Sequence, residues 1–174
     1  MIGLMGAGKT RVGKRVAERL GLPFVDADHE IERETGKTIS ELFQTIGESA
    51  FRDGERRTIA RLLAGPLSVI AAGGGAYMDA ATRDEIRRRG ISVWLRADLD
   101  VLVARTSRSN RRPLLEGVDR RAKLAELIAQ RYPVYESADV TVESLDVPVD
   151  RTAEAAIDAV ALFLKSRASA GEGA

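Results

Sequence analysis

The chain has 174 residues, of which 44% are hydrophobic, 30% charged and 5% aromatic; this predicts one compact domain with a real core and excludes a second full-sized domain or a disordered chain. Twenty-seven Lys and Arg against 26 Asp and Glu leave a formal charge of +1. A generally basic nucleic-acid surface is therefore not indicated, and any anion site must be local.

Taken in chain order, Val12, Val16, Ala17 and Leu20 recur at helical spacing with Lys14, Arg15 and Arg19 between them, and Gly21 to Pro23 stop the pattern. The spacing predicts a first helix from Gly8 to Leu20. Pro23, Phe24 and Val25 read as a short buried strand that delivers Asp26-Ala27-Asp28 at its carboxyl end. Thr38-Ile39-Ser40-Glu41 has capping-box spacing and starts a short helix carrying Leu42 and Phe43, followed by a longer one from about Glu48 to Leu63. Leu67 to Ala72 reads as a second buried strand, emptying into Gly73-Gly74-Gly75. Asp79 is placed to cap a helix that ends at Gly90, Ile91 to Leu95 reads as a third strand, and Asp98 is placed to cap the next helix, through Val101, Leu102 and Arg105. A polar, arginine-rich loop from Thr106 to Gly117 precedes a helix from Asp119 to about Tyr132, where Pro133 is expected to break or kink it. Asp139 to Glu143 reads as a fourth strand. The last helix carries Ala153, Ala156, Ile157, Val160, Ala161 and Leu164 on one face, and a disordered tail is expected over 168–174. Strands alternating with helices indicate an α/β domain over 1–167 with a mainly parallel sheet, whose ligands sit beyond the carboxyl ends of the strands.

Gly3-Leu4-Met5-Gly6-Ala7-Gly8-Lys9-Thr10 fits the phosphate-binding pattern G-x-x-x-x-G-K-[ST] and opens straight into the first helix. The glycines let backbone N–H groups turn around phosphate oxygens, the helix N-terminus adds a positive field, Lys9 can reach the outer phosphates and Thr10 can ligate magnesium. Asp26 and Asp28 are two apart, so on an extended strand they point to the same side, one near a metal and one near a substrate hydroxyl; the alternative is a pair of surface or capping acids. The triple glycine is either a flexible link or a place where a ligand approaches backbone N–H groups, and the entropy lost on ordering three glycines favours the ligand.

Between Arg105 and Lys123, seven basic side chains face two acidic ones. Such a loop is either solvated or a lid whose arginines neutralise charge at a phosphoryl-transfer site; Arg112, beside the stiff Pro113-Leu114-Leu115, suits the second role. Arg52 lies four residues after Glu48 and three before Glu55, which permits an ion-pair network on one helix face. It could equally grip a substrate carboxylate, joined by Arg131, because guanidinium forks match carboxylate geometry. His29 reads as a partly exposed helix residue and Trp94 as core.

In order, G-L-M-G-A-G-K-T, D-A-D, G-E-S-A-F-R-D-G-E, A-G-G-G-A, R-R-P-L-L and Q-R-Y-P-V-Y resemble the motif series of the shikimate kinase family, from Gly3 to about Tyr135. The resemblance implies a P-loop fold of the nucleoside-monophosphate-kinase type: a five-stranded parallel sheet flanked by helices, with a mobile lid at about 106–117. Only Met1 and Ile2 precede Gly3 where the family has a complete first strand, so that strand is expected to be truncated and folding weakened. The implied reaction moves the γ-phosphate of ATP to the 3-hydroxyl of shikimate, with Mg2+ as cofactor. By position, Gly6, Ala7, Gly8, Lys9, Thr10, Arg11, Arg105 and Arg112 would bind ATP, Arg105 near the adenine. Thr10 would hold magnesium and Asp26 would approach it through water. Lys9, Asp28 and Arg112 would be catalytic, Asp28 holding the acceptor hydroxyls. Arg52 and Arg131 would grip the carboxylate, Glu55 would orient Arg52, and Gly73, Gly74 and Gly75 would line the ring.

The absence of cysteine removes disulfides and thiolate chemistry and is compatible with a reducing cytosol. No apolar stretch approaches the ~18 residues needed to span a bilayer, and the glycine motif begins too soon after Met1 to leave room for a targeting peptide. A cytoplasmic monomer is expected, with shikimate and ATP as its small-molecule partners and neither nucleic-acid nor membrane partners. Two other readings stay open: a related small-molecule kinase such as a gluconate kinase, and a catalytically silent nucleotide-binding scaffold.

Overall fold

A computed structural model describes residues 1–107, 115 and 117–171. Its strands are β1 (Phe24–Asp26), β2 (Val69–Ala71), β3 (Val93–Arg96) and β4 (Val140–Glu143), and its helices α1 (Lys9–Leu20), α2 (Ala27–Thr35), α3 (Ile39–Ala64), α4 (Ala80–Arg89), α5 (Leu99–Thr106), α6 (Arg120–Tyr135) and α7 (Val149–Gly171), with a 3-10 turn at Ala76–Met78. β1 pairs in parallel with β2, Val25 opposite Ile70, and β3 pairs in parallel with β4, Trp94 opposite Thr141. Met1 and Ile2 join the two halves. The Ala72 N–H donates to Met1 O at 3.0 Å and the Met1 nitrogen donates to Ile70 O at 2.6 Å, while on the other side Ile2 N–H donates to Val93 O at 2.8 Å and Leu95 N–H to Ile2 O at 3.0 Å. The strand expected to be truncated is thus a two-residue stub, hydrogen-bonded on both sides, in a five-row order of β1, β2, stub, β3, β4. All five rows end at the same edge, where the chain turns into the glycine loop, α2, the triple glycine, α5 and the segment after Glu143.

The core lies against β3. Trp94, Leu95, Leu4, Leu102 and Leu124 are fully enclosed, and Trp94 packs edge-on against Tyr132 and Tyr135, with ring centroids 4.9 and 5.8 Å apart. Such pairs add about 0.5–1.5 kcal/mol each beyond the area they bury. A smaller cluster of Ile31, Leu42 and Phe51 fastens α2 to α3.

Local signals explain most boundaries. Thr38 and Glu41 form the reciprocal capping box, the Asp79 carboxylate accepts from Thr82 N–H, and Gly21 closes α1 in a left-handed conformation. The two helices read on either side of Gly47 meet there: Gly47, at φ 78° and ψ 167°, is a non-helical joint inside α3.

Elsewhere packing overrides the local signal. Pro133 does not end its helix; α6 continues to Tyr135, because the Tyr135 ring is fully buried against Tyr77 and Trp94 and that contact outweighs one lost backbone bond. Leu67 stands 77% exposed before β2 begins. Asp98 occupies the N-cap of α5 without a side-chain hydrogen bond. On α7, Ala153 and Ala156 are buried and Ile157 and Val160 half-buried, but Ala161 and Leu164 face outward and Phe163 turns inward instead. The helix itself continues to Gly171, past the boundary drawn at Arg167. Among the described residues no helix is long and apolar enough to cross a membrane.

Candidate active site

A cleft of about 1010 Å³ opens at the carboxyl edge of the sheet. One wall is the glycine loop. Gly3 adopts φ 140° and lies so close to β3 that a Cβ there would sit 2.7 Å from Leu95 O, so only glycine allows the loop to cross the sheet end. Gly8, also left-handed, is the N-cap of α1. Lys9 turns back over the loop and donates to Gly3 O at 2.8 Å and Leu4 O at 3.2 Å. Thr106, placed by composition at the start of a lid, instead ends α5 and is fully buried beneath Gly6.

Below the loop, Thr10 Oγ1 donates to Asp26 Oδ2 at 2.8 Å, and the other oxygen of Asp26 accepts the Asp28 N–H at 3.2 Å, so Asp26 also caps α2. The turn into α2 points Asp28 into the cleft. Burial pushes its carboxyl above the ordinary carboxylate value, and the nearby Lys9 ammonium opposes that rise. His29 is largely exposed, 3.8 Å from Asp26.

The opposite wall holds two arginines. Arg52, on α3, donates to Glu55 Oε2 at 2.8 Å and Glu48 Oε1 at 3.0 Å and lies over the packed pair of Phe43 and Phe51, whose ring centroids are 4.6 Å from each other and 5.6 and 5.3 Å from its guanidinium. The ion-pair network and the cleft-facing arginine are therefore one structure. Glu55 is buried, its second oxygen has no hydrogen-bond partner, and burial raises its pKa against the pull of Arg52. Arg131, on α6 and buried, donates to Gly74 O at 2.8 Å, and the Tyr135 hydroxyl donates to the same carbonyl; burial pushes that hydroxyl up to about 12.

The triple glycine lies between these walls. A Cβ at residue 74 would stand 3.4 Å from Arg131 Nη1 and 3.5 Å from Gly3 O; one at residue 73 would collide with Glu55 Oε1. Close approach, and not flexibility, is the reason for glycine here.

At the far end of the cleft, Arg105 is pinned to Ser144 Oγ at 2.9 Å, Leu145 O at 2.6 Å and, more loosely, Gly6 O at 3.4 Å. Burial lowers its pKa.

The fold thus gathers Gly6, Gly8, Lys9, Thr10, Arg11, Asp26, Asp28, Arg52, Gly73, Gly74, Gly75, Arg105 and Arg131 around one cavity. Ala7, within the same loop, is fully buried and does not line the cavity. Arg112, with most of the lid assigned to 106–117, lies outside the described residues. Three contributors escaped the sequence reading: Ser144, which bears no motif, the aromatic pair Phe43 and Phe51, and the hydroxyl of Tyr135. Tyr135, inside Q-R-Y-P-V-Y, and Phe51, inside G-E-S-A-F-R-D-G-E, had a signal that could have found them.

The family model for shikimate kinase matches residues 5–161. The chain belongs to the shikimate kinase family. Members are ATP-dependent kinases of shikimate, and this chain is one of them. It is 51% identical over 164 residues to a shikimate kinase of Rhodopseudomonas palustris, spanning 94% of this chain and 81% of the relative. Identity to the Paramagnetospirillum magneticum enzyme is 49% over 164 residues, spanning 94% and 84%. A solved shikimate kinase from Acinetobacter baumannii, in complex with shikimate, superposes with a TM-score of 0.88 at 39% identity over 95% of this chain and 91% of that one. A gluconokinase from Sinorhizobium meliloti shares the fold alone, at 20% identity and a TM-score of 0.56 over 95% and 96% of the two chains.

Proposed function

We propose that the cleft divides into an ATP half, at the glycine loop, Arg11 and Arg105, and a shikimate half, at Asp28, Arg52, Arg131 and the triple glycine. The observation that carries this division is Gly74. Its carbonyl accepts from Arg131 at 2.8 Å, and a Cβ there would touch Gly3 O of the glycine loop at 3.5 Å, so an acceptor gripped through its carboxylate by Arg52 and Arg131 has its ring beside the phosphates.

In this arrangement the 3-hydroxyl oxygen of shikimate attacks the γ-phosphorus, the bond from that phosphorus to the β,γ-bridging oxygen breaks and leaves ADP, and the hydroxyl proton passes to Asp28. Asp28 is suited to this by its burial and its raised pKa. Lys9 leaves its carbonyl partners to follow the charge that develops on the transferred oxygens, joined by Arg112 from the lid. Glu55 holds the Arg52 fork in one orientation through its 2.8 Å bond.

Thr10 and Asp26 fit magnesium. They present adjacent hard oxygen donors, and no group of three or more acidic, His or Cys ligands occurs among the described residues, which matches an ion held largely by water and substrate phosphates. Thr10 would hold it directly and Asp26 through water, and bound there it neutralises phosphate charge. The working protein is taken as a cytoplasmic monomer with neither membrane nor nucleic-acid partner.

The test is ADP release with Mg-ATP, comparing shikimate, gluconate and no acceptor. Shikimate-dependent release that a chelator abolishes and Mg2+ restores supports the reading. Equal or greater release with gluconate overturns the acceptor, and nucleotide binding without turnover leaves the silent scaffold. Arg52→Ala and Arg131→Ala are each expected to weaken shikimate binding by about 2–5 kcal/mol, as when one partner of a buried charged pair is removed.

A further inference from the structure

The Ser144 hydroxyl sits at a junction that the reaction scheme above does not use. Ser144 is buried, and its backbone N–H donates to Arg96 O at 2.6 Å, continuing the β3–β4 ladder by one residue. Its hydroxyl leaves the sheet and reaches the glycine loop, donating to Ala7 O at 2.7 Å. The same oxygen accepts from Arg105 Nη1 at 2.9 Å, while Arg105 Nη2 donates to Leu145 O at 2.6 Å. One oxygen therefore joins the loop that receives phosphates, the arginine at the far end of the cleft and the last row of the sheet.

The peptide bond makes this junction consequential. Ala7 C=O and Gly8 N–H belong to one planar trans peptide and point in opposite directions. Holding the carbonyl toward Ser144 turns the Gly8 N–H away from it, alongside the first-turn amides of α1, where anions bind. If the peptide rotated, a carbonyl oxygen would face the phosphates in place of a donor. Arg105 is fixed in the same act, because two of its nitrogens are committed to neighbouring acceptors on one segment, Ser144 and Leu145, and its plane cannot swing. Gly8 itself borders the junction: a Cβ there would be in ordinary van der Waals contact with both Ser144 Oγ and Arg105 Nη1, each 3.8 Å away.

We infer that Ser144 is a positioning residue for the nucleotide: its hydroxyl fixes the Ala7–Gly8 peptide of the phosphate loop and the plane of Arg105 together, so that the two ends of the ATP half are set by one hydrogen-bonded pin. It touches neither shikimate nor the transferred group. The inference rests on the kinase reading of the cleft, and direct nucleotide binding keeps the two separable.

The experiment compares Ser144→Ala, Ser144→Cys and Ser144→Thr with the parent, measuring KM for ATP and for shikimate, kcat, and ADP affinity by calorimetry, well below the melting temperature of each. Alanine removes the hydroxyl. Cysteine keeps the volume with a weak donor and acceptor, so a folded variant remains even if alanine disturbs packing. For both, KM for ATP and the ADP dissociation constant are expected to rise about tenfold, with KM for shikimate unchanged within twofold, and threonine is expected to restore nucleotide affinity. ATP and shikimate constants rising together would show a general structural role and overturn the inference. So would nucleotide constants within twofold of the parent in folded Ser144→Ala or Ser144→Cys. Loss of shikimate-dependent turnover in the parent would instead sink the kinase reading, while ADP calorimetry would still decide on Ser144.

Discussion

Gly75 and Arg52 occupy one volume between them: a Cβ at residue 75 would lie 2.5 Å from the guanidinium carbon of Arg52 and from both its terminal nitrogens. The triple glycine thus allows the arginine to press onto the turn while Glu55 and Glu48 hold it from its own helix.

This contact makes Gly75→Ala an informative change. Gly75 has φ −97° and ψ −16°, a conformation alanine adopts without strain, so the substitution acts only by displacing Arg52. KM for shikimate is expected to rise at least tenfold, with KM for ATP unchanged within twofold. An unchanged shikimate KM in steady-state kinetics would remove Arg52 from the acceptor site.

Asp28 sets a stability cost against function. Its folded-state pKa lies above the ordinary 3.8, chiefly through burial, so the folded chain holds this proton more tightly than the unfolded chain. The contribution to stability is fully present below the unfolded pKa and is lost as pH rises through the raised value. At pH 7 the ionised carboxylate is therefore a cost, and Asp28→Asn is expected to melt higher than the parent while turnover falls by two or more orders of magnitude. The melting advantage should shrink as pH approaches 4. In the parent, kcat/KM for shikimate should decline on the acid side as Asp28 takes up its proton. A pH-independent melting difference would count against the assignment.

The capping box at Thr38 holds a helical segment that lines the cleft through Ile39, Ser40 and Phe43 and stops at the Gly47 joint. A segment that short is marginal without its cap. Thr38→Ala is expected to cost about 1 kcal/mol, lowering the melting temperature by about 2–4 °C. It should raise KM for shikimate a few-fold, because Phe43 stacks on Arg52, and leave KM for ATP in place. Hydrogen exchange confined to 39–46 would report the fraying directly.

The amino-acid sequence by itself determined the elements whose cause is local. The glycine loop, the capping box, the Asp79 cap and the Gly21 stop depend on a few adjacent residues, and each stands where those residues put it. The spacing of Glu48, Arg52 and Glu55 likewise announced their network. Only the tertiary structure decided what depends on distant partners. Pro133 stays helical because Tyr135 is enclosed by rings from elsewhere in the chain, and α7 turns Phe163 inward in place of Leu164 because its neighbours α1 and β4 choose the buried face. The three glycines show both levels: their presence marked a special backbone, but the side chains that crowd a Cβ at Gly73 and Gly75 are Glu55 and Arg52, about twenty residues away in sequence, and the groups beside Gly74 are Arg131 and the Gly3 carbonyl. Ser144 is the extreme case. Nothing adjacent to it marks its role, since a lone serine after a strand carries no pattern; its partners Ala7 and Arg105 lie 137 and 39 residues away, and only the folded sheet brings the three together.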